Sequence, residues 1–120
     1  HAVLRLPDQP AFHNHVGGPH AGVIFTLAES ASGAVVIGSF SDLLGTVTPL
    51  AASAEIAYRR LAKGPVTAEA RLGRAAEDVR RELAETGTTV QFPVEVVVRT
   101  EDGTETAQMT VSWALRPNRT

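Results

Sequence analysis

Glu29 is the only formal charge between Asp8 and Asp42, and it interrupts a segment otherwise made of apolar and small residues. A carboxylate in such a setting is costly unless it is paired, solvated or protonated. Two readings follow: a helix that touches solvent at one turn, or a carboxylate facing a ligand cavity as general base or nucleophile. The other dense region lies upstream, where His13-Asn14-His15 is followed by Gly17-Gly18-Pro19-His20-Ala21-Gly22. His20 stands where a helix is expected to begin, so free backbone N–H groups and the helix dipole favour developing negative charge there. Ala21 and Gly22 leave those amides open to a small oxyanion, the layout that stabilises a tetrahedral intermediate at a carbonyl carbon. The plain alternative is a helix start that needs small residues to pack.

Other chemistries find less support. His13, His15 and His20 offer imidazoles, but their spacing fits no common zinc signature and no acidic residue lies between them. No metal and no cofactor is expected. The chain has no Gly-x-Gly-x-x-Gly run, no P-loop and no Gly-x-Ser-x-Gly elbow, so neither dinucleotide binding nor serine hydrolysis is indicated.

The elements that must hold these residues can be read from periodicity. Residues 2–6 read as a strand, and Pro7, Pro10 and Gly17-Gly18-Pro19 make residues 7–19 a loop. From about His20 to Phe40 the chain is small and apolar nearly all round, the pattern of a helix buried on most sides. That segment is also long enough to span a bilayer, but Glu29 at its centre, three diluting serines and unflanked ends favour a buried helix instead. After Thr48 the period becomes two. Ala54, Ile56 and Tyr58 mark a half-buried strand, and Val66, Ala68, Ala70 and Leu72 a second one beyond the Lys63-Gly64-Pro65 turn. Residues 75–86 read as an amphipathic helix capped by Gly87. Val90–Glu101 and the run through Ala107, Met109, Val111, Trp113 and Leu115 form a hairpin about Asp102-Gly103, ended by Pro117.

Strand, long helix, then four mostly antiparallel strands with a short helix between them describe an α+β architecture, a sheet of about five strands curled around one helix. That is the hotdog fold. The 120 residues suffice for a single domain over 1–120. At 43% hydrophobic, 20% charged and a formal charge of −2, no basic field advertises nucleic acid or an anionic membrane. The absence of cysteine and of a leading apolar segment fits a cytoplasmic protein.

Asn14 lies six positions before His20, and Glu29 nine positions after it. This pattern resembles the active-site motif of the hotdog-fold acyl-CoA thioesterases of the PaaI-like group, along almost the whole chain from about Leu4 to Pro117. The resemblance implies that Glu29 acts as general base or nucleophile on the thioester and that Asn14 helps hold the water or carboxylate. It implies further that the Ala21 N–H polarises the thioester carbonyl, that Gly22 belongs to the same substrate-binding turn, and that His20 positions that turn. The sequence departs from the pattern in having Ala21 where the family's first turn glycine stands. For the family's assisting Ser or Thr, Thr48 and Ser53 are the nearest candidates, with Ala51 near its place. Sites in this family lie between subunits, so a homodimer or homotetramer is expected, with acyl-CoA as substrate and neither nucleic acid nor membrane as partner.

Arg59, Arg60 and Lys63 are the one compact basic cluster near a strand end and are candidates for the phosphates of coenzyme A. By strand alternation Arg59 and Arg60 should point to opposite faces. Two other functions compete with thioester hydrolysis: a non-catalytic hotdog module that binds acyl-CoA or another apolar acid, and a dehydratase or hydratase using His15 and Glu29 as an acid–base pair. The family's His-Phe-Pro turn is missing, which counts against the latter.

Overall fold

The computed structural model of the chain describes residues 1–9 and 21–118. Its elements are β1 (Ala2–Leu6), α1 (Ala21–Ser39), a 3₁₀ turn (Ser41–Leu43), β2 (Val47–Tyr58), β3 (Val66–Leu72), α2 (Ala76–Thr86), β4 (Val90–Thr100) and β5 (Glu105–Pro117). The strands form one sheet in the order β1-β3-β4-β5-β2, every neighbouring pair antiparallel. Period-two sequences put Val66, Ala68 and Ala70 of β3, and Val90, Phe92, Val94, Val96 and Val98 of β4, on one buried face. Ala107, Met109, Val111 and Leu115 continue that face on β5. Ile24, Ala28, Ala31, Val35 and Val36 of α1 close the core against it.

The helix is not buried on most sides. α1 packs over β1, β3 and β4 through one face, and Gly22, Thr26, Ser30, Ala34 and Gly38 remain exposed, with Ile37 at 43%. A sheet of five strands reaches round only part of the cylinder, so the remaining uncharged surface of α1 faces outward. The helix is also long and apolar enough to cross a membrane, with a mean hydropathy of 1.6. Its distal end is clamped to α2. The Arg80 guanidinium meets the Asp42 carboxylate at 2.7 and 2.8 Å, donates to the Ser39 carbonyl at 2.7 Å, and lies 5.4 Å from the centre of the Phe40 ring.

β2 also departs from expectation. It is the long edge strand, and of Ala54, Ile56 and Tyr58 only Ile56 is partly buried. The register with β5 slips between Ala51 and Ser53, a bulge that adds twist at the edge. The β4–β5 hairpin turns through a three-residue loop rather than a two-residue one. Gly103, at φ +89°, donates its N–H to Thr100, and Thr100 donates to Thr104 across the loop, each at 3.0 Å. Asp102 ties the loop by accepting from the Thr104 N–H at 3.0 Å and from the Thr100 hydroxyl. Gly87 caps α2 as expected, at φ +64°, donating to the Leu83 carbonyl.

Candidate functional site

Residues three and four apart share a helix face, so Ser32 and Gly33 mark the direction in which Glu29 points one turn earlier. Both touch β5. The Trp113 indole N–H donates to the Ser32 hydroxyl at 3.0 Å, and the Ser32 hydroxyl donates to the Glu29 carbonyl at 2.7 Å. The indole ring lies against the helix at Gly33, where an added Cβ would make ordinary contact with Trp113 Cζ2 at 3.6 Å. At the other end of the same flank, the Tyr58 hydroxyl donates to the Ala21 carbonyl at 2.9 Å.

These two anchors fix how α1 runs along the sheet edge. Tyr58 pairs with Ala107 and Ala51 with Trp113, so α1 runs antiparallel to β2 from Tyr58 towards Ala51. Half-buried Glu29 lies between the anchors, roughly 12 Å beyond Ala21 and 6 Å before Gly33 along the helix axis. Opposite it, the helix-facing positions of β2 are Ala54, exposed, and Ile56, half-buried. α1 lies over β1 and β3 more than over β2, and Tyr58 and Trp113 mark the two ends of this flank. No other described side chain forms an ion pair or hydrogen bond with the Glu29 carboxylate. Burial pushes the Tyr58 phenol above its ordinary pKa, which keeps it a neutral donor.

The remaining expected site residues are dispersed. Asn14 and His20, with His13 and His15, lie outside the described residues. Ala21 and Gly22 are exposed at the first turn of α1. Thr48 pairs with Arg116 and Ser53 with Ser112, which puts both on the sheet face away from α1, while Ala51 is on the helix side. Thr48 donates to the Asn118 side chain at 2.6 Å. Strand alternation stops at Tyr58, because the Arg59 and Arg60 N–H groups both donate to the Thr106 carbonyl, at 2.7 and 3.2 Å. The Arg59 guanidinium then donates to the Gln108 side chain and that of Arg60 to the Glu105 carbonyl. Lys63 lines a groove of about 370 Å³ together with Glu101 and Asp102, so carboxylates accompany the one lysine. Among the described residues no His, Asp and Glu side chains converge as a metal site.

Sequence reasoning missed Tyr58 and Trp113 as parts of this site. The available signal was that the chain has one Tyr and one Trp, both at core-facing strand positions otherwise filled by smaller aliphatic residues.

The comparisons with known proteins agree with this architecture. No curated protein sequence matches the chain. A Pseudomonas aeruginosa protein of unknown function, a probable thioesterase, is 31% identical, with 97% of this chain covering 76% of that one at a TM-score of 0.84. A Bacillus halodurans protein solved with CoA shares the fold at 23% identity and a TM-score of 0.75, over 94% of this chain and 66% of that one. A thioesterase family protein from Silicibacter pomeroyi does so at 20% identity and a TM-score of 0.70, over 97% and 77%. The model of the family described as a domain of unknown function, DUF4442, matches residues 1–115. The chain belongs to that family and is a hotdog-fold protein of the thioesterase type.

Proposed function

We propose that this protein hydrolyses acyl-CoA thioesters, with Glu29 as the reacting carboxylate in a site shared by two copies of the chain. The observation that carries this reading is the direction of Glu29: it lies on the flank of α1 turned towards the open β2 edge. In the general-base form, Glu29 takes a proton from water as the water oxygen adds to the thioester carbonyl carbon. The C–S bond then breaks, and the departing thiolate takes the proton back. In the nucleophilic form the carboxylate itself adds and the C–S bond breaks to expel the thiolate. Water then cleaves the resulting anhydride to the free acid and the Glu29 carboxylate, the water's other proton going to the thiolate. Either form needs N–H donors for the oxyanion, and the first turn of α1 at Ala21 and Gly22 has them.

Within one chain those donors stand roughly 12 Å from Glu29 along the helix, too far to share a carbonyl carbon. A second copy offers a solution. β2 is a long edge strand with one charge, Glu55, and an exposed run from Leu50 to Glu55, the kind of edge that calls for a partner. A two-fold axis across β2 turns the second α1 antiparallel, so that its first turn approaches this Glu29. The uncharged outer stripe of α1 supports the same arrangement. Arg59, Arg60 and Lys63 remain the candidates for coenzyme A phosphates, and the relative solved with CoA makes that ligand a reasonable choice for assay.

The test is Glu29→Gln, which keeps size and hydrogen bonding but removes basicity and nucleophilicity. Release of free thiol from an acyl-CoA panel is expected to fall by about 10²- to 10⁴-fold. A Glu29→Gln protein that keeps most of its kcat overturns the mechanism and leaves an acyl-CoA binding module as the better reading.

A further inference from the structure

We propose that Trp113 and Ser32 are positioning residues for Glu29, a hydrogen-bonded tether from β5 that sets the rotation of α1 about its axis and so the direction of the carboxylate. The inference rests on the reading of Glu29 as the reacting group. The tether takes hold at Glu29 itself. The Trp113 indole N–H donates to the Ser32 hydroxyl at 3.0 Å, and that hydroxyl donates to the Glu29 carbonyl at 2.7 Å. An indole N–H can only donate, and a hydroxyl has one proton to give. With that proton on the Glu29 carbonyl, the hydroxyl oxygen presents its lone pairs to the indole, and the donors run one way. Ser32 is fully buried, which keeps water from taking its place in either bond. Trp113 stands on β5, between β4 and β2, so the donor is mounted in the interior of the sheet rather than on its edge.

Apolar packing alone sets this rotation weakly. At the level of Glu29 the other buried residues of α1 are Ala28 and Ala31, two methyl groups whose burial has no preferred direction. The lever on the carboxylate is long. A helix Cα lies about 2.3 Å from the axis, and three more carbon atoms carry the carboxylate to roughly 6 Å. A rotation of about 10° then swings it by about 1 Å, a misplacement that can cost about 10²-fold in rate. The same rotation, away from the indole, carries the Ser32 oxygen by about 0.7 Å, enough to stretch its 3.0 Å bond beyond hydrogen-bonding range. The bond and the carboxylate therefore respond to one motion. The Tyr58 bond at Ala21 lies at the start of the helix and holds the first turn instead.

A bond can bias the direction of the carboxylate only by its own worth, so its loss should lower kcat about two- to tenfold and leave KM for acyl-CoA within error. Trp113→Phe keeps a ring on β5 but removes the N–H, and Ser32→Ala removes the acceptor. Either variant tests the tether if the other does not fold. Both are assayed well below their melting temperatures, by release of free thiol from the acyl-CoA ester that the native protein cleaves fastest. The losses should not multiply: Ser32→Ala/Trp113→Phe should be no slower than Ser32→Ala, because both have lost the same tether. Nor should Trp113→Phe slow Glu29→Gln any further, since the tether acts through the carboxylate. A merely structural role predicts the reverse, with KM raised, losses that multiply and a further loss in Glu29→Gln. Native kcat in both single variants, or that multiplying pattern, overturns the proposal. The two readings fail separately. If Glu29→Gln loses hydrolysis while Trp113→Phe and Ser32→Ala keep it, the reaction still belongs to Glu29 and only the tether is lost. If Glu29→Gln keeps most of its kcat, or the native protein cleaves no ester, the mechanism falls and takes the tether with it.

Discussion

The hydroxyl of Tyr58 donates to the carbonyl of Ala21 at 2.9 Å, fastening the last residue of β2 to the first residue of α1. Tyr58 is 49% exposed, so the bond adds little to the core, and its consequence is positional. It holds the turn whose N–H groups are proposed to receive the oxyanion. Tyr58→Phe removes one neutral hydrogen bond, worth about 0.5–1.5 kcal/mol. If that energy acts on the geometry of the turn, kcat should fall about two- to tenfold while KM for acyl-CoA stays within error. A Tyr58→Phe enzyme with unchanged kcat shows that the turn holds itself.

The opposite end of α1 is held by charge. Arg80 lowers the Asp42 carboxyl below its ordinary pKa of 3.8, first through their hydrogen bonds. A group whose pKa is depressed by folding contributes stability above its unfolded value and loses it as pH falls through the folded one. Asp42→Asn should therefore melt below wild type at neutral pH, and the gap should close as pH drops below about 4. Thermal melts of both proteins from pH 7 to pH 3 measure this. A gap that does not narrow at all between pH 4 and pH 3 means that the contact acts through shape rather than charge. Arg80→Lys keeps the charge but loses the fork on Asp42 and the bond to Ser39, and should lower Tm throughout the range.

The two ends of α1 also show where a sequence can and cannot be read. β3 spans Val66–Leu72, as its alternation dictates, because both its neighbours are strands and one face is fully buried. β1 and the Gly87 cap were legible for equally local reasons. β2 alternates just as clearly, yet Ala54 and Tyr58 are exposed, because whether an edge strand is covered depends on where the helix lies and on what pairs with the edge. The small residues of α1 carried the same ambiguity: they fit a helix surrounded by its own sheet, and equally one with a face left for another chain. Glu29 stood out as a charge in an apolar run. The direction in which it points became clear only from the contacts of Trp113 with Ser32 and Gly33, which are 81 and 80 residues distant in the chain.

Two glycines of similar appearance should respond in opposite directions to alanine. Gly33 lies inside α1, and a Cβ there would make ordinary contact with Trp113 at 3.6 Å. Gly33→Ala should stabilise the fold by about 0.5–1 kcal/mol through the lower backbone entropy of the unfolded chain. Gly73 follows β3, donating its N–H to the Pro93 carbonyl at 2.8 Å. A Cβ there would lie 2.8 Å from Pro93 Cγ and 3.0 Å from the Pro93 carbonyl oxygen, so backbone would have to move. Gly73→Ala should cost about 1–3 kcal/mol. Urea unfolding of the two variants checks both signs, and a destabilised Gly33→Ala would show that Trp113 sits closer to the helix in solution.

The β2 edge makes the shared site testable without touching Glu29. Ser53 and Ala57 are exposed, lie on the sheet face away from α1, and flank Glu55. Replacing both by Glu places three carboxylates in alternate positions on one strand. Antiparallel pairing of two such edges would bring both sets together, and like charges on facing strands oppose pairing. The single chain loses no core contact, so its circular dichroism should be retained. Light scattering at micromolar concentration should show the native protein as a dimer or tetramer and Ser53→Glu/Ala57→Glu as a monomer of 12.7 kDa. Thioester hydrolysis should fall to background in the monomer. High salt screens the repulsion and should restore association. A native protein that is monomeric and fully active removes the two-copy site altogether. A dissociated variant that retains hydrolysis would place all the reacting groups within one chain, with the donors to be sought nearer to Glu29 than the first turn of α1.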